Sequence, residues 1–155
     1  MNREDIMFRI HYSYFTEEMH ARLFNRLDRW ISFILILLGS SVFASFGNPV
    51  YIGCAVAVLS AISFIWQFPR SAANCEHQAK VMKHLIHTAD TFPDTELLIA
   101  FTDAQEGDSP TIGYLRDPAY KRALIATGRQ NEAVVIRLSI CSKFISYLAG
   151  DCPDN

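Results

Sequence analysis

The sequence predicts an all-α membrane protein: a two-span transmembrane helical hairpin with an N-terminal amphipathic helix before it and C-terminal cytoplasmic helices after it. Three observations support this prediction. Residues 30–69 contain no Asp, Glu, Lys, Arg or His. They hold two apolar runs, 30–46 and 50–68, which are separated by a Gly47-Asn48-Pro49 turn signal. The flanking segments 1–29 and 69–150 are polar and show helical periodicity, and residues 151–155 form a tail.

The lack of charge assigns the two apolar runs to a bilayer. One Lys, Arg or Asp at the centre of a spanning helix adds about 2.5–3.5 kcal/mol to the free energy of insertion. The first run has about 17 residues and reaches roughly 26 Å, which is near the lower limit for crossing. Trp30 and Trp66 stand where interfacial aromatic residues belong. We therefore expect the two tryptophans at one membrane surface.

Basic residues near the hairpin set its predicted orientation. They lie before and after the hairpin and are absent from its turn: Arg22, Arg26, Arg29, Arg70, Lys80 and Lys83. Because basic residues remain on the cytoplasmic side, both termini are predicted to be cytoplasmic and the location to be the bacterial inner membrane. The alternative is a signal peptide cleaved near Val42-Phe43-Ala44. A 29-residue leader of mixed charge is too long for an ordinary n-region.

The N-terminal segment carries one apolar helical stripe opposite a charged face. The stripe consists of Phe8, Tyr12, Phe15, Met19, Leu23, Leu27 and Trp30. Thr16 is a candidate cap, so the segment is either one helix from about residue 4 or a shorter helix from Thr16. We interpret the stripe as a packing surface for neighbouring helices, with contact to the membrane surface as the alternative.

A second stripe, made mostly of small residues, follows Pro69. Its members are Ala72, Cys75, Ala79, Met82, Ile86 and Ala89. The stripe predicts that the second helix extends into the cytoplasm and packs closely. Asp94 is a candidate cap for a short helix through Phe101. Further on we expect a loop over residues 111–117 and a helix that starts at Pro118 and ends before Gly128.

A last helix is predicted over about residues 130–149, and it carries an apolar seam at heptad spacing. The seam consists of Val134, Leu138, Cys141, Ile145 and Leu148. We interpret it as an oligomer seam. Arg137 and Lys143 interrupt the apolar surface, which favours a packed cytoplasmic helix over a third span.

Two patterns in the second span bear on assembly. Gly53, Ala57 and Ala61 recur at every fourth residue, the small-xxx-small pattern that lets transmembrane helices approach closely. Ser60, Ser63 and Gln67 share another face of the helix. This polar strip either lines a pore in an oligomer or forms hydrogen bonds between helices.

Several other functions are not indicated. The net charge of −2, the pI near 6.2 and the lack of a basic run argue against nucleic acid as a partner. The sequence shows no Gly-rich phosphate loop or hydrolase triad, and the four cysteines lack metal-site or disulfide spacing. His77, His84 and His87 share one helical face, which we expect to be solvated. We expect neither an enzyme nor a cofactor.

The arrangement resembles the SLATT-type two-transmembrane proteins, including the small versions found in phages and prophages. The similar segments are residues 68–77 with His77, the acidic-Pro segment 106–110, Tyr114-Leu115 and Asn131-Glu132. The resemblance as a whole covers about residues 15–150. The resemblance implies a membrane effector that oligomerises and permeabilises the inner membrane in phage-host conflict, usually beside a nucleotide-sensing partner.

Three functions follow as expectations. The first is an oligomeric inner-membrane protein that opens a pore and depolarises the membrane, with the lipid bilayer and further copies of itself as partners. The second is a non-conducting phage-encoded protein that binds another protein through residues 70–150, as in superinfection exclusion. The third is a holin-like lysis factor, for which the predicted cytoplasmic portion is larger than needed.

Overall fold

The computed structural model describes residues 2–43, 48–110 and 112–151, without the side chains of residues 41–43. Within these ranges the structure is helical and contains no β-strand, so the all-α prediction is confirmed. A 3₁₀ turn, Ala89–Thr91, separates the third and fourth helices. The helices are α1 (Arg3–Phe43), α2 (Pro49–Trp66), α3 (Phe68–Thr88), α4 (Asp94–Gln105), α5 (Gly113–Ala126), α6 (Gln130–Val135) and α7 (Ile140–Leu148).

Helix α1 is one uninterrupted helix of 41 residues. Of the two alternatives for the N-terminal segment, the long helix is therefore correct. Thr16 lies inside it, and its hydroxyl donates a hydrogen bond to the Tyr12 carbonyl oxygen at 2.8 Å instead of capping a helix start. At 1.5 Å per residue α1 is about 60 Å long, so it reaches well beyond the helices packed on its first half.

Helix α3 runs antiparallel to the first half of α1. The Phe24 and Phe68 rings lie 6.2 Å apart, and Ile10 shares a buried cluster with Met82. At the far end, Arg3 donates hydrogen bonds to residues that follow α3. Because later residues of α3 meet earlier residues of α1, the two helices form an antiparallel pair. As predicted, the small-residue stripe of α3 is buried, with Ile86 partly buried beside it.

The junctions around α2 follow local chemistry. Asn48 is the N-cap residue of α2, and its side-chain oxygen accepts a hydrogen bond from the Val50 N–H at 3.0 Å. Pro49 opens the helix, as the turn signal predicts, whereas Phe46 and Gly47 lie outside the described residues. At the other end Gln67 adopts φ +43°, so one left-handed residue separates α2 from α3. Helix α2 contacts α1.

We call residues 30–43 of α1 together with α2 the arm, and residues 3–29 with α3–α7 the body. The body has two buried clusters. One joins α1, α3 and α4 around Ile10, Met82 and Leu97, and the other joins α1, α5 and α7 around Met19 and Leu115. Helix α1 is therefore buried on two sides, and the exposed residues of its body part are all charged or polar: Glu4, Asp5, Arg9, Arg22, Asn25, Arg26 and Arg29.

Two predictions for the second half of the chain are corrected. Helix α5 begins at Gly113, so the expected loop over 111–117 is shorter and Pro118 lies inside the helix. Pro118 removes one backbone hydrogen bond. The complete burial of Leu115 against α1 stabilises the extra turn. Asp94 does not cap α4; its carboxylate instead pairs with Arg3 at 2.8 Å.

The predicted single helix over 130–149 is wrong. It is divided into α6 and α7 by residues 136–139, and Ile136 and Ser139 have extended backbone angles. Three β-branched residues in succession, 134–136, favour helix less than their neighbours do. The break also lets α7 turn so that Ala149 is buried against α5.

Candidate functional site

None of the described side chains of the arm is buried. Helix α2 contains no buried residue and no charged residue. Its large apolar side chains are open, with Tyr51 76%, Phe64 79% and Trp66 64% exposed, and Trp30 on α1 is 59% exposed. Among the described residues, the stretch that starts with α2 is the one helical segment long and apolar enough to cross a membrane.

The small-xxx-small residues of α2 point away from α1. The half-buried positions of α2 lie on the side that contacts α1: Ile52, Ala55, Val56, Leu59, Ile62 and Ser63. Gly53, Ala57 and Ala61 are exposed, and a Cβ atom added at Gly53 would meet nothing within 4 Å. At 100° per residue these three positions point about 155° away from the side that faces α1. They form an open, flat strip on the outer side of the arm.

The polar strip of α2 lies between these two sides. Ser60 and Gln67 are exposed, and Ser63 is half-buried. Helical periodicity places the strip about 90° from the small residues. Gln67 sits at the left-handed junction, and its side-chain oxygen accepts a hydrogen bond from Arg70 at 3.4 Å. The predicted polar face of Ser60 and Ser63 is thus present on one helix, with Gln67 at its end.

The five residues of the predicted oligomer seam do not lie on one helix. Val134 is on α6 and 73% exposed, and Leu138 is in the segment between the helices. Cys141 is exposed on α7, whereas Ile145 and Leu148 pack partly on the cluster around Met19. A continuous heptad seam is therefore ruled out, because the helix it requires is broken and two of its members face the body.

A buried polar cluster lies in the middle of the body. Glu17 on α1 is 1% exposed, and one of its carboxylate oxygens accepts the Ser109 N–H at 2.6 Å. His20, also 1% exposed, accepts the Ile112 N–H at its Nε2 atom at 2.9 Å. Asp108 accepts hydrogen bonds from Ser13 at 2.7 Å and from Gln78 at 2.8 Å. These bonds fix the segment between α4 and α5 onto α1 and α3.

Burial controls protonation in this cluster. It raises the pKa of the Glu17 carboxyl, against the opposing effect of the Ser109 hydrogen bond. It lowers the pKa of His20 to about 4, so this imidazole is neutral at pH 7. Burial also raises the pKa of the Cys75 thiol to about 11 and holds it in the unreactive protonated form. One Glu17 oxygen and the His20 Nδ1 atom have no hydrogen-bond partner among the described residues.

Two further groups of polar residues lie on the surface of the body. A cavity of about 420 Å³ lies beside the polar cluster, with Arg9, Gln105 and Asp108 in its wall. His77, His84 and His87 are exposed, as predicted for a solvated face. Within the described ranges no three His, Cys, Asp or Glu side chains are placed to hold a metal ion.

Sequence reasoning missed the polar cluster. Ser13, Glu17 and His20 continue the spacing of Ile6 and Ile10 in steps of three and four, so the periodicity of a second buried stripe is present. Their polarity makes the stripe look like a solvated surface. Their partners lie about ninety residues away in the chain, and no local pattern links them.

Comparison of the chain with protein-family models, with curated proteins and with solved structures gave no match. The resemblance to SLATT-type proteins therefore stays a prediction.

Proposed function

We propose that the chain is an integral inner-membrane protein whose arm crosses the bilayer as a two-span hairpin, and whose copies assemble into a membrane-permeabilising oligomer. The observation that carries the proposal is an uncharged, apolar α2 that has no buried residue and exposes most of its large side chains. Soluble monomeric proteins rarely expose contiguous apolar surface beyond a few hundred Å². In a bilayer the same surface is in contact with lipid chains, and no exposure cost arises.

The residues at the base of the arm support this placement. Trp30 and Trp66 both lie where the arm meets the body, at the level expected for interfacial aromatic rings. The basic residues Arg26, Arg29 and Arg70 stand on the body side of this level, and Asn48 at the tip has no charged neighbour. This asymmetry favours a cytoplasmic body with both termini on the same side.

Helix α2 offers a surface for self-assembly. Helices in lipid associate through close packing of small residues, and Gly53, Ala57 and Ala61 are open on the side away from α1. When neighbouring arms pack through these residues, the adjacent strip of Ser60 and Ser63 turns toward the centre of a ring. This arrangement supplies a polar lining without any ionisable side chain.

Crosslinking tests the assembly. With Cys54, Cys141 and Cys152 replaced, Ala57→Cys should form a disulfide-linked dimer in membranes on mild oxidation. Val58→Cys is the matched control, because Val58 is exposed but points about 100° away from the small residues. Equal crosslinking at both positions, or none at Ala57→Cys, would contradict assembly through this face.

Conduction is tested separately with a potential-sensitive dye after induced expression. The wild type should depolarise the membrane, and Ser63→Leu should weaken the leak because it replaces a polar lining group. Ser40→Leu is the control: Ser40 is exposed on α1, and its hydroxyl donates a hydrogen bond to the Ile36 carbonyl oxygen of its own helix. Assembly without depolarisation, even with neighbouring gene products co-expressed, would overturn the pore and favour the non-conducting membrane interaction protein. Release of a co-expressed endolysin would instead indicate the holin-like role.

A further inference from the structure

Helix α7 presents large apolar side chains to the outside of the body, in addition to those that pack inward. Its outward residues are large and apolar, with Ile140 86%, Phe144 63% and Tyr147 70% exposed. Its inward residues include Ser142 and Ser146, which are 4% and 0% exposed. Against water, the opposite distribution is the stable one. The outward face therefore fits an apolar environment that lies outside the protomer.

The inward face is held in place by specific bonds. The Ser146 hydroxyl donates a hydrogen bond to the Asp151 carbonyl oxygen, and the Asp151 carboxylate pairs with Arg122 of α5 at 2.9 Å. Ala149 is fully buried between α1 and α5. Rotating α7 to hide its apolar residues would break these contacts, so the outward orientation belongs to the fold.

The end of α7 is fixed close to the base of the arm. The Arg26 guanidinium donates hydrogen bonds to the carbonyl oxygens of Tyr147 and Leu148, at 3.1 and 2.9 Å. Arg26 precedes Trp30 by about one helical turn, or roughly 6 Å along α1. That distance is comparable to the thickness of the headgroup layer on one side of a bilayer. The C-terminal end of α7 is thus bonded to α1 about one headgroup-layer thickness from Trp30.

The charge on this segment matches an anionic surface. Between Glu132 and Asp151 the charged residues are Arg137 and Lys143, both basic. An apolar face bordered by basic residues is the usual composition of a helix that lies in the membrane interface.

From these observations we infer that the outward face of α7 contacts the headgroup layer of the membrane that holds the arm, as a second, peripheral membrane contact of each protomer. This inference rests on the proposed membrane insertion of the arm. The occupant is lipid, because basic residues border the face and the Arg26 bonds hold the end of α7 about one helical turn from Trp30.

Two native cysteines allow a direct test in the full-length chain. Cys54 is exposed on the arm and Cys141 is exposed beside Ile140, whereas Cys75 is buried. One protein carries a fluorophore at Cys54, with Cys141 and Cys152 replaced by Ser. A second carries it at Cys141, with Cys54 and Cys152 replaced by Ser. A Glu96→Cys label on α4 is the control, since α4 starts beside Arg3 at the far end of the body. Each protein is reconstituted in phosphatidylethanolamine–phosphatidylglycerol vesicles with a headgroup-attached nitroxide lipid.

We expect the nitroxide lipid to quench the Cys141 label at least about threefold more than the Glu96→Cys label, as for an interfacial helix. Replacing Ile140 and Phe144 by Ser should abolish this difference, and the body should remain folded because both side chains point outward. A Cys141 label quenched only by aqueous iodide overturns the inference. A label shielded from both quenchers also overturns it and identifies another copy of the chain as the occupant. If a lipid with the nitroxide on its acyl chain fails to quench the label at Cys54, insertion of the arm is refuted instead.

Discussion

A charge placed midway along α2 separates a lipid-facing arm from a water-facing one. Val58 lies near the middle of α2 and is 58% exposed, so Val58→Arg creates no steric conflict in the protein. If water surrounded the arm, the substitution would change the free energy of unfolding by less than about 0.5 kcal/mol. If lipid surrounds it, the arginine lies near the bilayer centre.

The expected magnitude follows from the residues of α2. Its large apolar side chains that favour insertion are Val50, Ile52, Val56, Val58, Leu59, Ile62, Phe64 and Ile65. At about −0.3 to −0.6 kcal/mol each they contribute roughly −2 to −5 kcal/mol, and one central arginine adds about +2.5 to +3.5 kcal/mol. Val58→Arg therefore cancels most of the driving force for insertion, a shift of about 100-fold in the equilibrium.

The assay is the fraction of full-length chain that remains in the membrane pellet after an alkaline carbonate wash. We expect almost all of the wild type in the pellet and about half or less of Val58→Arg. Ile99→Arg is the matched control, because Ile99 is a β-branched residue of the body that is 61% exposed. Equal pellet fractions for Val58→Arg and Ile99→Arg would refute the placement of α2 in lipid.

Three further predictions concern the body and its junction with the arm, and all are measured as thermal unfolding in detergent by circular dichroism. Burial lowers the pKa of His20 from 6.5 to about 4, so the neutral imidazole contributes fully to stability above about pH 6.5. The free energy of unfolding should fall by about 3 kcal/mol as the pH drops from 6.5 to below 4. The pKa of Glu17 is raised, so its contribution to stability changes with pH in the opposite direction, and His20→Gln is therefore made in a Glu17→Gln background. There the substitution at His20 should flatten the loss of stability at low pH, and an unchanged pH profile would contradict the buried neutral imidazole. Gln67→Gly should stabilise the junction by about 1 kcal/mol because glycine adopts φ +43° without strain, and Gln67→Val should destabilise it. A valine variant more stable than the glycine variant would contradict a left-handed backbone at this position. Leu97→Ala should cost about 2–5 kcal/mol, since Leu97 is fully buried, and a cost below about 1 kcal/mol would place it outside the core.

The sequence predicts well what depends on local periodicity and composition. The α3 stripe, the Asn48-Pro49 helix start and the helix end at Gly128 each follow from a short pattern, and each is present in the structure. The charge-free segment likewise identifies the arm, because its exposure in the structure matches the absence of ionisable residues.

What depends on distant partners could not be predicted. Burial of Glu17 is explained by Ser109, which follows it by 92 positions, and the early start of α5 is explained by burial of Leu115 against α1. The division of the last helix depends on where α7 docks, and α7 docks through Arg26 and Arg122. In each case a tertiary contact outweighs the local preference of the chain.

The crossing of the bilayer by the arm is tested most directly by whether its tip and the N-terminus of the chain lie on opposite sides of the membrane. Asn2→Cys and Asn48→Cys are made one at a time with Cys54, Cys141 and Cys152 replaced, and a membrane-impermeant maleimide is applied to right-side-out and inside-out vesicles. We expect Asn48→Cys to react only in right-side-out vesicles and Asn2→Cys only in inside-out vesicles. Reaction of both cysteines from the same side would contradict a two-span hairpin.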